Sequence, residues 1–432
     1  MAPQKKDQIG IALLGLGTIG SGVASALLSK SGAYSRHVQR SVGLRKVLIR
    51  STSKKRNGVS KELLTTDFPA IVKDPEVQII VEAMGGEHPA FEYIKHALAS
   101  GKHVVTANKE VIAKHGTELF ALASRNNVAL LFEASVGGGI PIIGPLQRDF
   151  NANEVFAIDA IINGTTNYIL TSMTKEGSDF ASALKNAQKL GYAEPDPAND
   201  IEGTDAAYKL AILATLAFKA NVRPQDVYRE GISRLAQQDF RYADELGYAI
   251  KLLAIARCND GEVQARVHPV FIRREEQLAK VDGVFNAIQI EGDLVGKVLF
   301  YGRGAGAKPT SSAIIADLLE VARGIKHGLS LRPAPLIDQS KKVIPMDRIV
   351  TRFYIRMSVE DRPGVLAQIA KVLGDRSISI SSVIQKETNV ATKSAEIVIM
   401  THDAIDANIH SALNSLKKFS GVREIGSLIR VW

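Results

Sequence analysis

A short apolar run, Ile9–Leu14, leads directly into Gly15-Leu16-Gly17-Thr18-Ile19-Gly20, and a helical pattern follows from Val23 to Leu28. G-x-G-x-x-G held between a strand and a helix is the tightest constraint in the chain, because dinucleotide binding requires that context. Gly15 permits the sharp turn, Gly17 lets backbone approach a pyrophosphate, and Gly20 lets the helix pack closely on the strand. The helix N-terminus, which holds Thr18 and Ile19, then faces the phosphates. A plain structural turn is the competing reading, and the position near the start of the chain argues against it.

The second apolar strand, Val47–Ile49, ends in Arg50, where a site selective for NAD would carry an acid. No Asp or Glu occurs between Asp7 and Glu62. Arg50, Lys54, Lys55 and Arg56 cluster there instead, and cations accommodate a 2′-phosphate. NADP is therefore the expected coenzyme, with use of NAD left open. A solvated charge run accounts for some of these lysines, less easily for Arg50.

Strand Val77–Ala83 then runs into Met84-Gly85-Gly86-Glu87-His88-Pro89. A helix is expected over Ala90–Ala99, and strand His103–Thr106 ends in Ala107-Asn108-Lys109. In open α/β sheets, ligands bind beyond the carboxyl ends of the strands. Gly85, Gly86 and Lys109 all sit at such ends. A helix over Gly116–Ser124 and a strand over Val128–Phe132 lead to Glu133-Ala134-Ser135-Val136-Gly137-Gly138-Gly139-Ile140-Pro141, where three glycines mark a sharp bend or exposed carbonyls.

The richest chemistry lies in Gly191–Leu213, GYAEPDPANDIEGTDAAYKLAIL. Glu194, Asp196 and Asp200 fall in a Pro-rich loop. Asp205 and Lys209 follow four apart, on one face of an apolar helix. A lysine on a buried helix needs a nearby carboxylate or loses its proton, and in either state it suits proton transfer. The bland alternative is a lysine that reaches back to solvent beside acids that cap the helix.

At 432 residues the chain should form two or three domains. Its 45% hydrophobic and 23% charged residues are those of a globular protein. No apolar run reaches the roughly 18 residues that span a bilayer, and no signal peptide is seen. The single cysteine, Cys258, excludes an internal disulfide and fits a reducing cytoplasm. The net charge of +9 comes without aromatic–basic interleaving, so nucleic acid is not expected as a partner.

Taken in order, GLGTIG, AMGGEHPA, VVTANK, EASVGGGIPII, INGTTNYIL, GYAEPDP, D-x-x-x-K and GRGAGAKPTSSA closely resemble homoserine dehydrogenase over essentially the whole chain. Beyond a proline-containing stretch, FYIRMSVE, GVLAQIAKVLG, ISSVIQKE, AEIVIM, DANIHSALNSLKKF and SLIRVW read as βαββαβ, the ferredoxin-like order. Asp361-Arg362-Pro363-Gly364-Val365-Leu366 in that segment resembles an ACT loop. With no aspartokinase segment ahead of the glycine turn, the monofunctional form is expected.

The resemblance implies an α/β chain with a Rossmann-type nucleotide domain at residues 1–140, completed by about 304–330. An α+β substrate-binding and dimerisation domain would occupy 141–303, a linker 331–349 and an ACT domain 350–432. It implies Lys209 as proton donor with Asp205 its partner, Lys109 at the nicotinamide and substrate end, and Glu194 on the substrate amino group with Asp200 close by. Gly164 and Thr165, after a strand over Val155–Ile162, suit a polar substrate, though a helix cap explains them equally well. Gly302, Gly304 and Gly306 offer backbone N–H groups to phosphate or nicotinamide. Glu133, Val136, Gly138 and Ile140 match positions that hold a monovalent cation, commonly sodium, largely through carbonyls. Asn199 departs from the pattern, since many relatives carry a second Asp there. The loop Asp361, Arg362, Gly364, Val365 and Leu366 would meet an amino-acid effector, with threonine the natural candidate and a purely assembling module the alternative.

The implied reaction is the reversible NAD(P)-dependent interconversion of L-homoserine and L-aspartate 4-semialdehyde on the route to threonine, isoleucine and methionine, by a dimer or tetramer. Oxidising the aldehyde further would usually need a cysteine nucleophile. Cys258 enters a hairpin turn at Asp260-Gly261 and is poorly placed for that, which argues against aspartate-semialdehyde dehydrogenase. Two rivals stay in view: another amino-acid oxidoreductase on the same scaffold, and a non-catalytic amino-acid sensor built from Rossmann and ACT modules.

Overall fold

A computed structural model describes residues 8–51, 58–328, 335–389 and 393–432. The first stretch alternates strand and helix: β1 (Gln8–Leu14), α1 (Thr18–Ser29), α2 (Ser31–Val38), β2 (Ser41–Leu48), β3 (Leu64–Thr65), α3 (Phe68–Lys73), β4 (Val77–Glu82), α4 (Ala90–Ala99), β5 (His103–Thr106), α5 (Lys109–Arg125) and β6 (Leu130–Leu131). The middle holds α6 (Ile143–Arg148), β7 (Val155–Ile161), α7 (Gly164–Glu176), α8 (Phe180–Lys189), α9 (Ala198–Ile201), α10 (Thr204–Phe218), β8 (Tyr228–Arg229), α11 (Gln237–Glu245), β9 (Tyr248–Asn259), β10 (Glu262–Arg273), β11 (Phe285–Gly292), β12 (Gly296–Arg303) and α12 (Ala307–His327). The remainder is β13 (Lys342–Val343), β14 (Val350–Glu360), α13 (Val365–Gly374), β15 (Ile380–Asn389), β16 (Ser394–Thr401), β17 (Ala404–Ile405), α14 (Asp406–Leu416) and β18 (Val422–Val431).

Two compact units result. The first gathers Met1–Phe156, Tyr208–Pro224 and Ile290–Lys341; the second gathers Ala157–Ala207, Gln225–Gln289 and Lys342–Trp432.

In the first unit a parallel sheet runs β3-β2-β1-β4-β5-β6. That order is the Rossmann one, with the crevice for a dinucleotide where the order reverses between β1 and β4. Both faces are covered, so the strands are continuous apolar runs: Ile11, Ala12, Leu13 and Leu14 are fully buried. The helix α12 belongs to the same core. Ile314, Ile315, Leu318 and Val321 join Ile9, Ile11 and Val23 in one apolar cluster, and Ser311 Oγ donates to the Ile19 carbonyl at 3.4 Å.

Two local expectations need correction here, and one helix was not foreseen. The second strand is longer than Val47–Ile49, beginning at Ser41. The helix α2 has no apolar face to announce it, because Val38 is its only buried residue. The helix expected from Gly116 begins at Lys109 instead. Asn108 caps it, its side-chain oxygen accepting the Val111 N–H at 3.1 Å, so Lys109 is the first residue of a helix rather than the end of a strand.

In the second unit the strands run β7-β9-β10-β18-β14-β16-β15. The hairpin β9–β10 turns at Asp260 (φ 49°) and Gly261 (φ 79°), the left-handed pair that an Asp-Gly turn supplies. The C-terminal module has the order β18-β14-β16-β15, with α13 and α14 laid on Phe353, Ile355, Met357 and Ile397 through Ile369, Ile409 and Leu413. Its last strand pairs in parallel with β10 through Val270–Arg430 and Phe271–Val431. The module is also locked to α11. Fully buried Asp239 accepts from Arg356 Nε (2.7 Å), Ser427 Oγ (2.7 Å) and Tyr354 OH (3.1 Å). No helix among the described residues is long and apolar enough to cross a membrane.

Candidate active site

The turn from β1 into α1 is closed by backbone at both ends and open in the middle. Gly15 has φ +94°, and a Cβ there would lie 2.8 Å from the Ala83 carbonyl. A Cβ on Gly20 would meet the Gly15 carbonyl at 2.1 Å, so neither position accepts a side chain. A Cβ on Gly17 meets nothing within 4 Å. Gly17 and Thr18 are exposed, Ile19 is half-buried, and no side chain caps the helix start. Its first N–H groups are thus presented to an incoming anion, which fits a pyrophosphate. Arg50 is exposed just beyond β2; Lys54, Lys55 and Arg56 lie outside the described residues.

The loops after β4 and β5 are tied together by a polar chain that the sequence did not announce. Glu82, buried at the end of β4, accepts the Thr106 hydroxyl (2.5 Å) and the Met84 N–H (2.7 Å). Thr106 in turn accepts the Asn108 N–H at 3.0 Å, and Asn108 Nδ2 donates to the Gly86 carbonyl at 2.7 Å. Burial pushes the Glu82 carboxyl above its ordinary range, against the hydrogen bonds that favour its charged form. This chain ties the loop of Gly85 and Gly86, both exposed with φ near +75°, to Asn108, the residue before half-buried Lys109. The only hint in the sequence was an acid inside an otherwise apolar strand.

The glycines of two further loops meet. A Cβ on Gly138 (φ +55°) would sit 2.3 Å from the Gly304 carbonyl, and the Gly139 N–H donates to the Arg303 carbonyl at 3.1 Å. Gly302 is half-buried, and Gly306 (φ +125°) precedes α12 with no side-chain cap. Glu133 has its carboxylate filled: it accepts the N–H groups of Ile142 (2.6 Å), Ile143 (2.8 Å) and Gly144 (2.7 Å). Among the described residues the carbonyl oxygens of Val136, Gly138 and Ile140 accept no backbone hydrogen bond, and no group of His, Cys, Asp or Glu is arranged to hold a metal. A cation here would have to rest on carbonyl oxygens, which suits a hard monovalent ion.

In the second unit, Asn163 gathers two acids. Its Nδ2 donates to Asp200 Oδ1 at 2.7 Å and to Asp205 Oδ2 at 2.9 Å, while its Oδ1 caps α7 by accepting the Thr166 N–H at 2.9 Å. Asp205 is buried at the start of α10, and Lys209, one turn further along that helix, is half-buried. Thr165 Oγ1 donates to the Tyr192 carbonyl at 2.7 Å and so pins the loop of Gly191–Pro197 to the start of α7. Gly164 opens α7, where a Cβ would meet the Val284 carbonyl at 3.0 Å. Glu194 and Asn199 are exposed and lie outside the group gathered on Asn163. In the C-terminal module Asp361, Arg362, Gly364 (φ +89°) and Leu366 are exposed and Val365 is buried; Arg362 Nε donates to Glu360 at 2.6 Å.

Family models cover most of the chain. The homoserine dehydrogenase model matches residues 141–319, its NAD-binding domain model residues 15–133, and the ACT domain model residues 353–421. A homoserine dehydrogenase of Synechocystis sp. is 45% identical over 98% of this chain and 99% of its own length. The chain belongs to the homoserine dehydrogenase family. The homoserine dehydrogenase of Neisseria gonorrhoeae is 41% identical over 98% of both chains. A crystal structure of a homoserine dehydrogenase from Thiobacillus denitrificans superposes with a TM-score of 0.91 at 42% identity over 98% of each chain. A hyperthermophilic archaeal homoserine dehydrogenase in complex with NADPH is similar over 73% of this chain and 97% of that one, with a TM-score of 0.63 at 30% identity. As a homoserine dehydrogenase the chain is an NAD(P)-dependent oxidoreductase with an ACT module, and the reading as a non-catalytic sensor has no support beside this.

Proposed function

We propose that this homoserine dehydrogenase interconverts L-homoserine and L-aspartate 4-semialdehyde with NADP as preferred coenzyme, and that Lys209 moves the proton at the reacting oxygen. The observation that carries the reading is the Asp200–Asn163–Asp205 cluster at the start of the helix that bears Lys209. When bound, the nicotinamide exchanges a hydride with the carbon bearing the substrate oxygen. The protein supplies position and a proton. Lys209 gives its proton to the aldehyde oxygen during reduction and takes one from the alcohol during oxidation. Asp205, itself held by Asn163, is the carboxylate partner of Lys209, one turn before it on the same helix. Asp200 and Glu194 receive the substrate ammonium, beside Gly164 and Thr165. Lys109, at the first turn of α5, serves the nicotinamide end, and the backbone of Gly85, Gly86, Gly302, Gly304 and Gly306 meets the coenzyme.

Arg50 supports NADP, because a guanidinium forms charge-assisted hydrogen bonds to a 2′-phosphate. The carbonyls of Glu133, Val136, Gly138 and Ile140 would hold sodium or another monovalent cation beside the Gly304 loop. The ACT module takes an amino-acid effector, threonine first among the candidates, at the start of α13. The enzyme works in the cytoplasm as a dimer or tetramer, on the route to threonine, isoleucine and methionine.

The test is oxidation of L-homoserine with NADP, followed by nicotinamide absorbance in the presence of sodium or potassium, with and without L-threonine. Turnover is expected, slower with NAD. Folded protein inactive with both coenzymes would defeat the proposal.

A further inference from the structure

Three elements of the first unit carry groups assigned above to the reaction: the loop after β4 with Gly85 and Gly86, α5 with Lys109 at its start, and the part of α10 that begins at Tyr208 and bears Lys209. The side chain of Lys114 reaches all three. Its ammonium donates to Glu87 Oε2 at 2.6 Å and to Glu110 Oε1 at 2.7 Å. It also stands 5.7 Å from the centre of the Tyr208 ring, within cation–π reach. Glu87 follows Gly86 directly, Glu110 follows Lys109, and Tyr208 precedes Lys209. One cation thus touches the chain neighbour of each group.

The bland reading is a surface ion pair, which adds little. Glu110 and Lys114 alone are ordinary helix support at i,i+4. Glu87 goes beyond that, because it comes from another element and both of its oxygens are occupied. Its Oε1 accepts His115 Nε2 at 2.7 Å, and the His115 ring stacks on Phe91 of α4 with centroids 4.0 Å apart. Lys114 first and His115 second pull the Glu87 carboxyl down to about 2, so it keeps its charge at neutral pH. Asn108 holds the Gly86 carbonyl, so the loop is tied to the start of α5 at two successive residues. On its other flank α5 packs on α10. Ile112, Phe120, Ile212 and Leu216 close round one small gap, and Thr117 Oγ1 donates to Asn221 Oδ1 at 3.2 Å.

We propose that Lys114 is a positioning residue that fixes the loop of Gly85 and Gly86 relative to Lys109 and Lys209. The proposal rests on the reading that this loop meets the nicotinamide half of the coenzyme and that Lys209 moves the proton. In homoserine oxidation the hydride leaves carbon for the nicotinamide while the proton leaves the oxygen on that carbon for Lys209. Donor and acceptors must therefore be held at one separation, and Lys114 joins their supports through a single charged group. A shift of about 1 Å between them costs on the order of 10²-fold in rate. Homoserine binding, which falls to Asp200 and Glu194, is untouched by it.

The experiment compares K114M, K114R, E87Q and K209A with the unaltered chain in homoserine oxidation. Coenzyme sites are counted by calorimetry, so that kcat is expressed per folded site. K114M keeps the stem and loses the charge. Its kcat should fall by about 10–10²-fold with KM for homoserine unchanged, the pattern of an interaction felt only in the transition state. K114R should restore most of the rate, because a guanidinium can join both carboxylates and lie over the ring. E87Q should lose rate in the same sense, which keeps the test open should K114M not fold. An unchanged kcat per site in whichever of K114M and E87Q folds, with K209A inactive, overturns the positioning role and leaves the proton donor standing. Turnover retained in K209A overturns the reading of Lys209 and the role of Lys114 with it.

Discussion

Asn163 holds Asp205 at 2.9 Å with the same nitrogen that holds Asp200, while its oxygen caps α7. One side chain therefore sets the spacing of two carboxylates and the start of a third element. Asn163→Ala should lower kcat/KM for homoserine by about 10²-fold through misplacement of these acids. Loss of the cap should cost about 1 kcal/mol of stability. Coenzyme affinity should stay as it is. Steady-state kinetics beside coenzyme titration would check this, and unaltered kinetics would show that the cluster is only a cap.

Lys209→Ala should cut turnover by about 10²–10⁴-fold, the usual worth of a positioned acid–base group. Coenzyme binding should be retained. Lys209→Arg should not rescue it, since a guanidinium does not release its proton in the working pH range. Turnover that survives Lys209→Ala removes this residue from the chemistry.

Arg50→Ala should weaken NADP by about 1.5–3 kcal/mol, the range for a hydrogen bond to a charged group, and leave NAD almost untouched. Comparing dissociation constants for both coenzymes decides the matter. An equal loss for the two refutes the 2′-phosphate assignment.

Glu82 gives a pH signature. Its folded carboxyl is raised above the ordinary value of 4.5, so between that value and the raised one the native state keeps a proton that the unfolded chain has lost. Stability must then fall as pH climbs through that window. Glu82→Gln mimics the neutral form and should flatten the slope. Thermal unfolding measured from pH 4 upward would show it, and an identical slope in the variant would mean that Glu82 does not titrate there.

Asp239→Ala should destabilise the second unit by about 3–5 kcal/mol, because it removes the buried counter-charge of the Arg356 guanidinium and leaves it only the less buried Glu396. Denaturant unfolding is the readout. A loss below 1 kcal/mol would show that water reaches Arg356.

What the sequence made legible was whatever is fixed by the local backbone. The glycine turn, the Asp-Gly hairpin and the alternation of C-terminal strands and helices depend on residues next to one another. What stayed hidden depends on neighbours far apart in the chain. Asn163 reads as a helix cap, and nothing in INGTTNYIL shows that Asp200 and Asp205 will converge on it. Glu82 looks like the end of a strand until Thr106 is placed beside it. Glu133 drew attention as a cation ligand, yet its carboxylate is occupied by three N–H groups of the segment that follows, leaving only its carbonyl for such a role. The helix α2 escaped because one buried valine leaves no pattern to read.

The stretch 331–349 reads as a tether, as if the C-terminal module hung from a string. The ladder between β10 and β18 gives it a different character: Val270–Arg430 and Phe271–Val431 pair, and the Trp432 N–H donates to the Phe271 carbonyl at 2.9 Å. The module is stitched into the seam of another sheet. A chain shortened before β18 would leave that edge of β10 with bare amides and carbonyls, a template for unwanted strand pairing. The C-terminal module is thus also a hem, and cutting it away should yield a chain that frays and aggregates.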